Sequence, residues 1–215
     1  YEMHWSLVGS EMCIRDRPQI EELMPSGLID GVTTNPSLIA KSGKDMGETI
    51  KTICSIVSGP VSAEVTATEY NKMLEEGEYL ASLAKNVAVK VPLTPAGLQT
   101  CKALREKDIM VNVTLCFSAA QALLAAKVGA TFISPFVGRL DDIGEKGMDL
   151  ISDIVIMYEN YGFDTEVLVA SVRNTQHLID AAVIGAHVST LPPKVIHELY
   201  CLLYTSDAAD ELLGV

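Results

Sequence analysis

Seven short apolar runs, separated by stretches with helical spacing, limit the possible fold more than any other feature of this chain. The runs are residues 31–35 (GVTTN), 61–65 (VSAEV), 87–91 (VAVKV), 110–114 (MVNVT), 131–135 (TFISP), 166–171 (EVLVAS) and 187–191 (HVSTL). Their starts lie roughly 20 to 36 residues apart, the length of a strand, a loop, a helix and a return loop. Strands that alternate with helices predict βαβ units around a parallel sheet. The intervening segments suit helices. Residues 118–128 (SAAQALLAAKV) open at a capping Ser118 and close at Gly129. Residues 68–83 carry Met73, Leu74, Leu80 and Leu83 among charged side chains, and residues 174–184 gather Leu178, Ile179, Ala182 and Val183 before Gly185. No linker, repeat or low-complexity stretch divides the chain, so one domain is expected.

Seven such units leave two architectures, a closed (β/α)8 barrel or an open doubly wound sheet. A nucleotide-binding open sheet usually carries a Gly-rich phosphate loop after an early strand, and neither GxGxxG nor GxxxxGK[ST] occurs here. A barrel strand is buried on both faces, yet inward positions near its C-terminal end can be polar. Thr33, Asn35, Glu64, Lys90, Asn112, Thr114, Ser134 and Ser171 all fall near strand ends. The fold class predicted is therefore α/β, a (β/α)8 barrel.

Composition narrows the partners. With 48% hydrophobic and 20% charged residues among 215, a folded core is expected. Lys+Arg 16 against Asp+Glu 28 gives a net charge of −12, which opposes non-specific nucleic-acid binding. An anionic ligand must then be held by a few local cations. Cys13, Cys54, Cys101, Cys116 and Cys201 are scattered, with no CxxC and no Cys/His cluster, so neither a disulfide framework nor a zinc site is expected. No apolar run reaches the roughly 18–20 residues of a membrane span, and no signal-peptide pattern opens the chain. A cytoplasmic protein with reduced thiols is the expectation.

Lys90 is the most informative position. It interrupts a run of valines that otherwise reads as a buried strand. An ammonium is costly to bury, and an amine in a carbonyl-binding pocket is a Schiff-base nucleophile. The plainer alternative is a strand-end lysine reaching solvent. Glu64, in another small apolar strand, can move protons, directly or through water, or simply pair with Lys90. Asn112 and Thr114 share one face of their strand and can hold a water or a substrate hydroxyl, or form a structural bridge. Arg139, Ser171 and Arg173 suit a phosphate, since barrel phosphate sites follow the late strands and arginine offers bidentate contacts. Each arginine alone also suits a surface ion pair. His4, His177, His187 and His197 read as structural or surface residues.

Residues 31–38 (GVTTNPSL) and 87–97 (VAVKVPLTPAG) resemble the two characteristic motifs of the transaldolase family, in its small-subunit branch that also includes fructose-6-phosphate aldolases. Residues 112–118 (NVTLCFS), 133–139 (ISPFVGR) and 170–173 (ASVR) resemble further family segments in the same order. The resemblance runs from about Pro18 to Leu199. It implies a (β/α)8 barrel, a Schiff-base lysine at Lys90, and Glu64 with Thr114 positioning the proton-shuttling water. It also implies that Thr33, Asn35, Asn112 and Ser134 bind the dihydroxyacetone moiety, and that Arg139, Ser171 and Arg173 bind the phosphate. No metal or cofactor is implied, because the protonated imine is itself the electron sink. The resemblance implies sugar phosphates as partners and a ring-forming homo-oligomer in the intact family, with the closing helix that helps build it altered here. The aldolase branch resembles a glutamine at Glu64 and a tyrosine at Phe136, so the carboxylate and phenyl ring here favour transfer over release. A non-catalytic sugar-phosphate-binding barrel is the alternative of another class.

Both ends depart from the family. Its first strand ends in an Asp-Thr-Ala-like triplet whose aspartate acts as general acid/base. Counting back from Gly31 puts that aspartate near Cys13, whereas the nearest acid is Asp16, which suits a helix cap. Residues 200–215 lack the family's closing helix sequence. Residues 1–17 and 200–215 therefore read as non-native tails around a barrel of residues 18–199. The expectation is an open seam, unless residues 12–14 substitute for the first strand, and impaired activity.

Overall fold

The fold follows from side-chain alternation along eight short strands. The computed structural model describes residues 6–9, 23, 27–34, 36 and 45–200. The strands are β1 (Ser6–Gly9), β2 (Gly31–Thr33), β3 (Val61–Glu64), β4 (Val87–Pro92), β5 (Met110–Cys116), β6 (Phe132–Pro135), β7 (Glu166–Val169) and β8 (Val188–Leu191). They close into a barrel in chain order, and every pairing is parallel. Between and after them lie helices α1 (Met46–Ile56), α2 (Tyr70–Leu83), α3 (Pro95–Arg105), α4 (Ala119–Lys127), α5 (Val137–Asp141), α6 (Gly147–Tyr161), α7 (Thr175–Ile184) and α8 (Pro193–Tyr200). The (β/α)8 expectation is met.

Period-two alternation divides the apolar residues into two cores. Val87, Val89 and Val91 of β4 join Val111 and Val113 of β5 and Val167 and Val169 of β7 in the large core between strands and helices. The intervening residues face the barrel axis. There Ala88, Phe132, Leu168, Ala170 and Val188 form a second, smaller core, with Met110 and Phe136 packed against it. Two residues further along β4, β5 and β6, the interior becomes polar. That step along Ala88–Lys90, Met110–Asn112 and Phe132–Ser134 positions the site.

The helix starts obey local chemistry. Ser118 caps α4 by accepting from the amide of Gln121, and Asn174 caps α7 by accepting from His177. Thr94 caps α3 with Pro95 following it, and a side chain at Gly97 would strike the Pro92 carbonyl. The run from Pro92 to Gly97 is thus the geometry of a strand that turns directly into a helix.

Three expectations change. No seam is left open, because β1 pairs with β8 from Ser6↔Val188 to Gly9↔Leu191 and with β2 at Val8↔Gly31. Residues 6–9, not 12–14, supply that strand. Residues 12–14 and Asp16 lie outside the described residues. The strand read as residues 166–171 ends at Val169; Ala170 makes only an isolated bridge to Phe136, and Ser171 takes a left-handed backbone (φ 61°). A helix reaches Tyr200 at the C-terminal end, and residues 201–215 are not described. Among the described residues, no helix is long and apolar enough to cross a membrane.

Candidate active site

Lys90 sits on β4, in register with Glu64 of β3 on one side and Asn112 of β5 on the other. Its side chain is 10% exposed, which removes the solvent-reaching alternative. Its Nζ lies 3.0 Å from Oε2 of Glu64. A pair this deep is held by geometry rather than surface attraction, and loss of either partner strands a charge.

Asn112 is fully buried and bridges two strands, so among the described residues it alone of the Asn112–Thr114 pair forms the structural bridge. Its Nδ2 donates to Oγ of Ser62 at 3.1 Å, and its Oδ1 accepts from Oγ of Ser134 at 2.7 Å. A satisfied amide of this kind is rigid, so it presents a fixed polar wall beside Lys90. The hydroxyls of Thr33 and Thr114 differ from it. Both are buried, and neither Oγ1 has a hydrogen-bond partner among the described residues. Buried unpaired hydroxyls are rare and call for a ligand or water to complete them. Asn35 lies outside the described residues.

A bulge shapes the far end of β5. Leu115 adopts φ 61°, and the β5–β6 register shifts between Val113 and Cys116. Phe117 beyond it meets Phe136 edge to face, with centroids 5.7 Å apart, and the Arg139 guanidinium lies 5.9 Å from the Phe136 ring centre. Phe136 therefore links the inner apolar core to the cationic end of the site.

Arg139, Ser171 and Arg173 converge through backbone contact. The amides of Val137 and Gly138 donate to the carbonyls of Ala170 and Ser171, at 3.1 Å each. A side chain at Gly138 would collide with the Ser171 carbonyl and the Arg173 side chain, so only glycine permits this approach. Arg139 and Arg173 are both exposed, and Nη2 of Arg173 meets Oδ2 of Asp142 at 2.9 Å. Arg173 is thus a surface ion-pair member in this state, on the edge of the cluster that the sequence grouped.

The sequence reading passed over Ser62, Glu76 and Asp141, and read His177 as structural or surface without its partner. Ser62 is the hydroxyl that fixes Asn112; its spacing of two from Glu64 was the available signal. Glu76 of α2 accepts from the amides of Thr66 and Ala67 and from the Thr66 hydroxyl, at 2.8–3.0 Å, and so ties down the loop after Glu64. His177 and Asp141 lie beside the Arg173 segment, with Nε2 and Oδ2 3.0 Å apart. Nothing in their spacing announced that contact.

The buried thiols are held in their protonated form. Burial pushes the Cys116 thiol up to about 11 and the Cys101 thiol up to about 12, so both stay protonated near neutrality. Among the described residues, no group of three or more His, Cys, Asp or Glu side chains is placed to hold a metal ion.

Comparison with known proteins agrees with this architecture. The barrel resembles a mandelate oxidase mutant (TM-score 0.59, 14% identity, 98% of this chain and 70% of that one). It also resembles inosine 5′-monophosphate dehydrogenase from Legionella pneumophila (TM-score 0.62, 16% identity, 88% of this chain and 58% of that one). At these identities the likeness concerns the fold alone. Sequence relatives are much nearer. A probable transaldolase of Rhodospirillum centenum is 60% identical over 186 residues, 86% of this chain and 80% of that protein. One of Erythrobacter litoralis is 63% identical over 180 residues, 84% of this chain and 83% of that protein. The Transaldolase/Fructose-6-phosphate aldolase family model matches residues 14–211. The chain belongs to the transaldolase/fructose-6-phosphate aldolase family, a family of enzymes.

Proposed function

We propose that the chain is a transaldolase that moves a dihydroxyacetone unit from a ketose phosphate to an aldose phosphate through an imine on Lys90. The observation that carries this reading is the burial of Lys90 in the barrel interior with its Nζ 3.0 Å from Glu64. A buried amine beside a carboxylate can attack a carbonyl and hand its proton to an adjacent base.

The amine adds to C2 of the ketose, and loss of water gives a protonated imine. Removal of the C4 hydroxyl proton breaks the C3–C4 bond. The bonding pair flows into the imine to give an enamine, and an aldose phosphate departs. The enamine then attacks the aldehyde carbon of a second aldose phosphate, which takes up a proton at oxygen. Hydrolysis of the new imine releases the longer ketose phosphate and restores the amine. Glu64 and the Thr114 hydroxyl serve these proton movements through water. Thr33, Asn35, Asn112 and Ser134 hold the three-carbon unit, while Arg139, Ser171 and Arg173 hold the phosphate. No metal or redox cofactor enters these steps.

Phe136 favours transfer over release. A phenyl ring cannot donate a proton to the enamine, so the intermediate persists until an acceptor arrives. Incubation with fructose 6-phosphate and an aldose phosphate acceptor tests this. The expected product is the transferred ketose phosphate, with little free dihydroxyacetone. Free dihydroxyacetone formed at a comparable rate would establish the aldolase reading instead. Ligand-induced stabilisation that survives Lys90→Ala, without turnover, would establish a non-catalytic barrel.

A further inference from the structure

The turn bearing Ser171 and Arg173 is fastened on two sides. On one side the Ser171 carbonyl accepts from the Gly138 amide at 3.1 Å. On the other, the Arg173 amide donates to Nδ1 of His177 at 3.3 Å. The second ring nitrogen, Nε2, lies 3.0 Å from Oδ2 of Asp141, and Oδ1 of Asp141 accepts from the Gly147 amide at 3.0 Å. The His177 side chain is 12% exposed, far less than the arginines around it. Because Nδ1 accepts a hydrogen bond, the proton of the neutral ring resides on Nε2 and points at Asp141. A continuous chain therefore runs from the start of α6 through Asp141 and His177 to the backbone of Arg173.

The ends of that chain matter. Asp141 stands two residues after Arg139 on α5, and His177 stands one helical turn after Arg173. Besides the more exposed Arg173–Asp142 ion pair, the imidazole is the side-chain link between the short helix that carries one arginine and the turn that carries the other. The geometry points to His177 as a positioning residue: it fixes the spacing of Arg139 from Ser171 and Arg173, and so sets affinity for the substrate's phosphate without touching it. This inference rests on the phosphate reading proposed above. It also gives Asp141 a task, since the carboxylate selects the ring tautomer that can accept from Arg173.

Steady-state kinetics with fructose 6-phosphate, inhibition by inorganic phosphate, and borohydride trapping with unphosphorylated dihydroxyacetone separate the possibilities. His177→Ala is expected to raise both KM and the inhibition constant of phosphate about tenfold, the size of one lost hydrogen bond at a charged site. It should leave kcat and dihydroxyacetone trapping unchanged. His177→Asn, which keeps an acceptor for the Arg173 amide, should recover most of the loss. Asp141→Asn keeps only one of the two acceptors its neighbours need, and should give the same KM-only effect at smaller size even if His177→Ala does not fold. The inference is overturned if these variants match the parent, or if kcat and dihydroxyacetone trapping fall together with affinity. Arg173→Ala is the reference. If it raises KM and His177→Ala does not, the positioning role alone is wrong; if it leaves KM unchanged, the phosphate reading fails and this inference fails with it.

Discussion

The lysine end and the arginine end of the site are built on opposite plans. Around Lys90 the described groups ride on strands, and Glu64, Lys90 and Asn112 lie side by side in register. Lys90 and Asn112 are buried and Glu64 partly so, and the strand pleat sets their spacing. The arginine end stands beyond the strands, on the short α5 and the turn after β7, with exposed side chains. There the positioning comes from backbone contact, through the close approach at Gly138 and the left-handed Ser171, together with the His177–Asp141 link. Covalent chemistry profits from a dry, preorganised pocket, whereas an incoming phosphate needs accessible cations. The same barrel rim supplies both by switching from strand to loop.

Substitutions should respect that division. Lys90→Arg keeps a cation for Glu64 but removes the nucleophile. Transfer should fall by more than the 10²–10⁴-fold typical of losing one proton-transfer group, with thermal unfolding little changed. Glu64→Gln should lower kcat by about 10²–10⁴-fold and leave KM for the phosphorylated donor nearly unchanged. Arg139→Ala or Arg173→Ala should do the reverse, raising KM about 10- to 100-fold at nearly constant kcat. A KM effect at Glu64 as large as that at the arginines would erase the contrast between the ends.

The strand-borne half was legible in the sequence because a charge among valines conflicts with burial. Lys90 and Glu64 stand out for that reason, and period two groups Asn112 with Thr114. Ser62 did not stand out, since a serine in a strand carries no such conflict. The loop-borne half was legible only in part. Arg139, Ser171 and Arg173 could be named, but their convergence depends on Gly138 accommodating the Ser171 carbonyl. His177 and Asp141 were invisible as partners, because only tertiary packing brings α5 to α7. The closure of the barrel by residues 6–9 was likewise missed, because the expected register pointed to residues 12–14.

Two smaller effects sharpen the contrast. Asn112→Ala should destabilise the fold by about 1–3 kcal/mol, since it leaves the Ser62 and Ser134 hydroxyls without their buried partner. Equilibrium unfolding in denaturant checks it, and an unchanged midpoint would mean that the polar wall is not rigid. Stability should also fall as pH rises above about 9. Burial raises Cys101 from 9.0 to about 12 and Cys116 from 9.0 to about 11, and raises the Tyr158 phenol as well. Above pH 9 the unfolded chain loses these protons while the folded one retains them, so deprotonation favours unfolding until the folded thiols themselves titrate. Thermal unfolding from pH 8 to pH 11 measures this, and a flat profile would contradict it.

Borohydride reduction in the presence of fructose 6-phosphate, followed by peptide mass mapping of the full chain, interrogates the imine most directly. The expected result is a single reduced three-carbon adduct on the peptide containing Lys90, absent from Lys90→Arg. Turnover with no adduct at Lys90, or an adduct on another lysine, would contradict the assignment of this buried amine as the nucleophile.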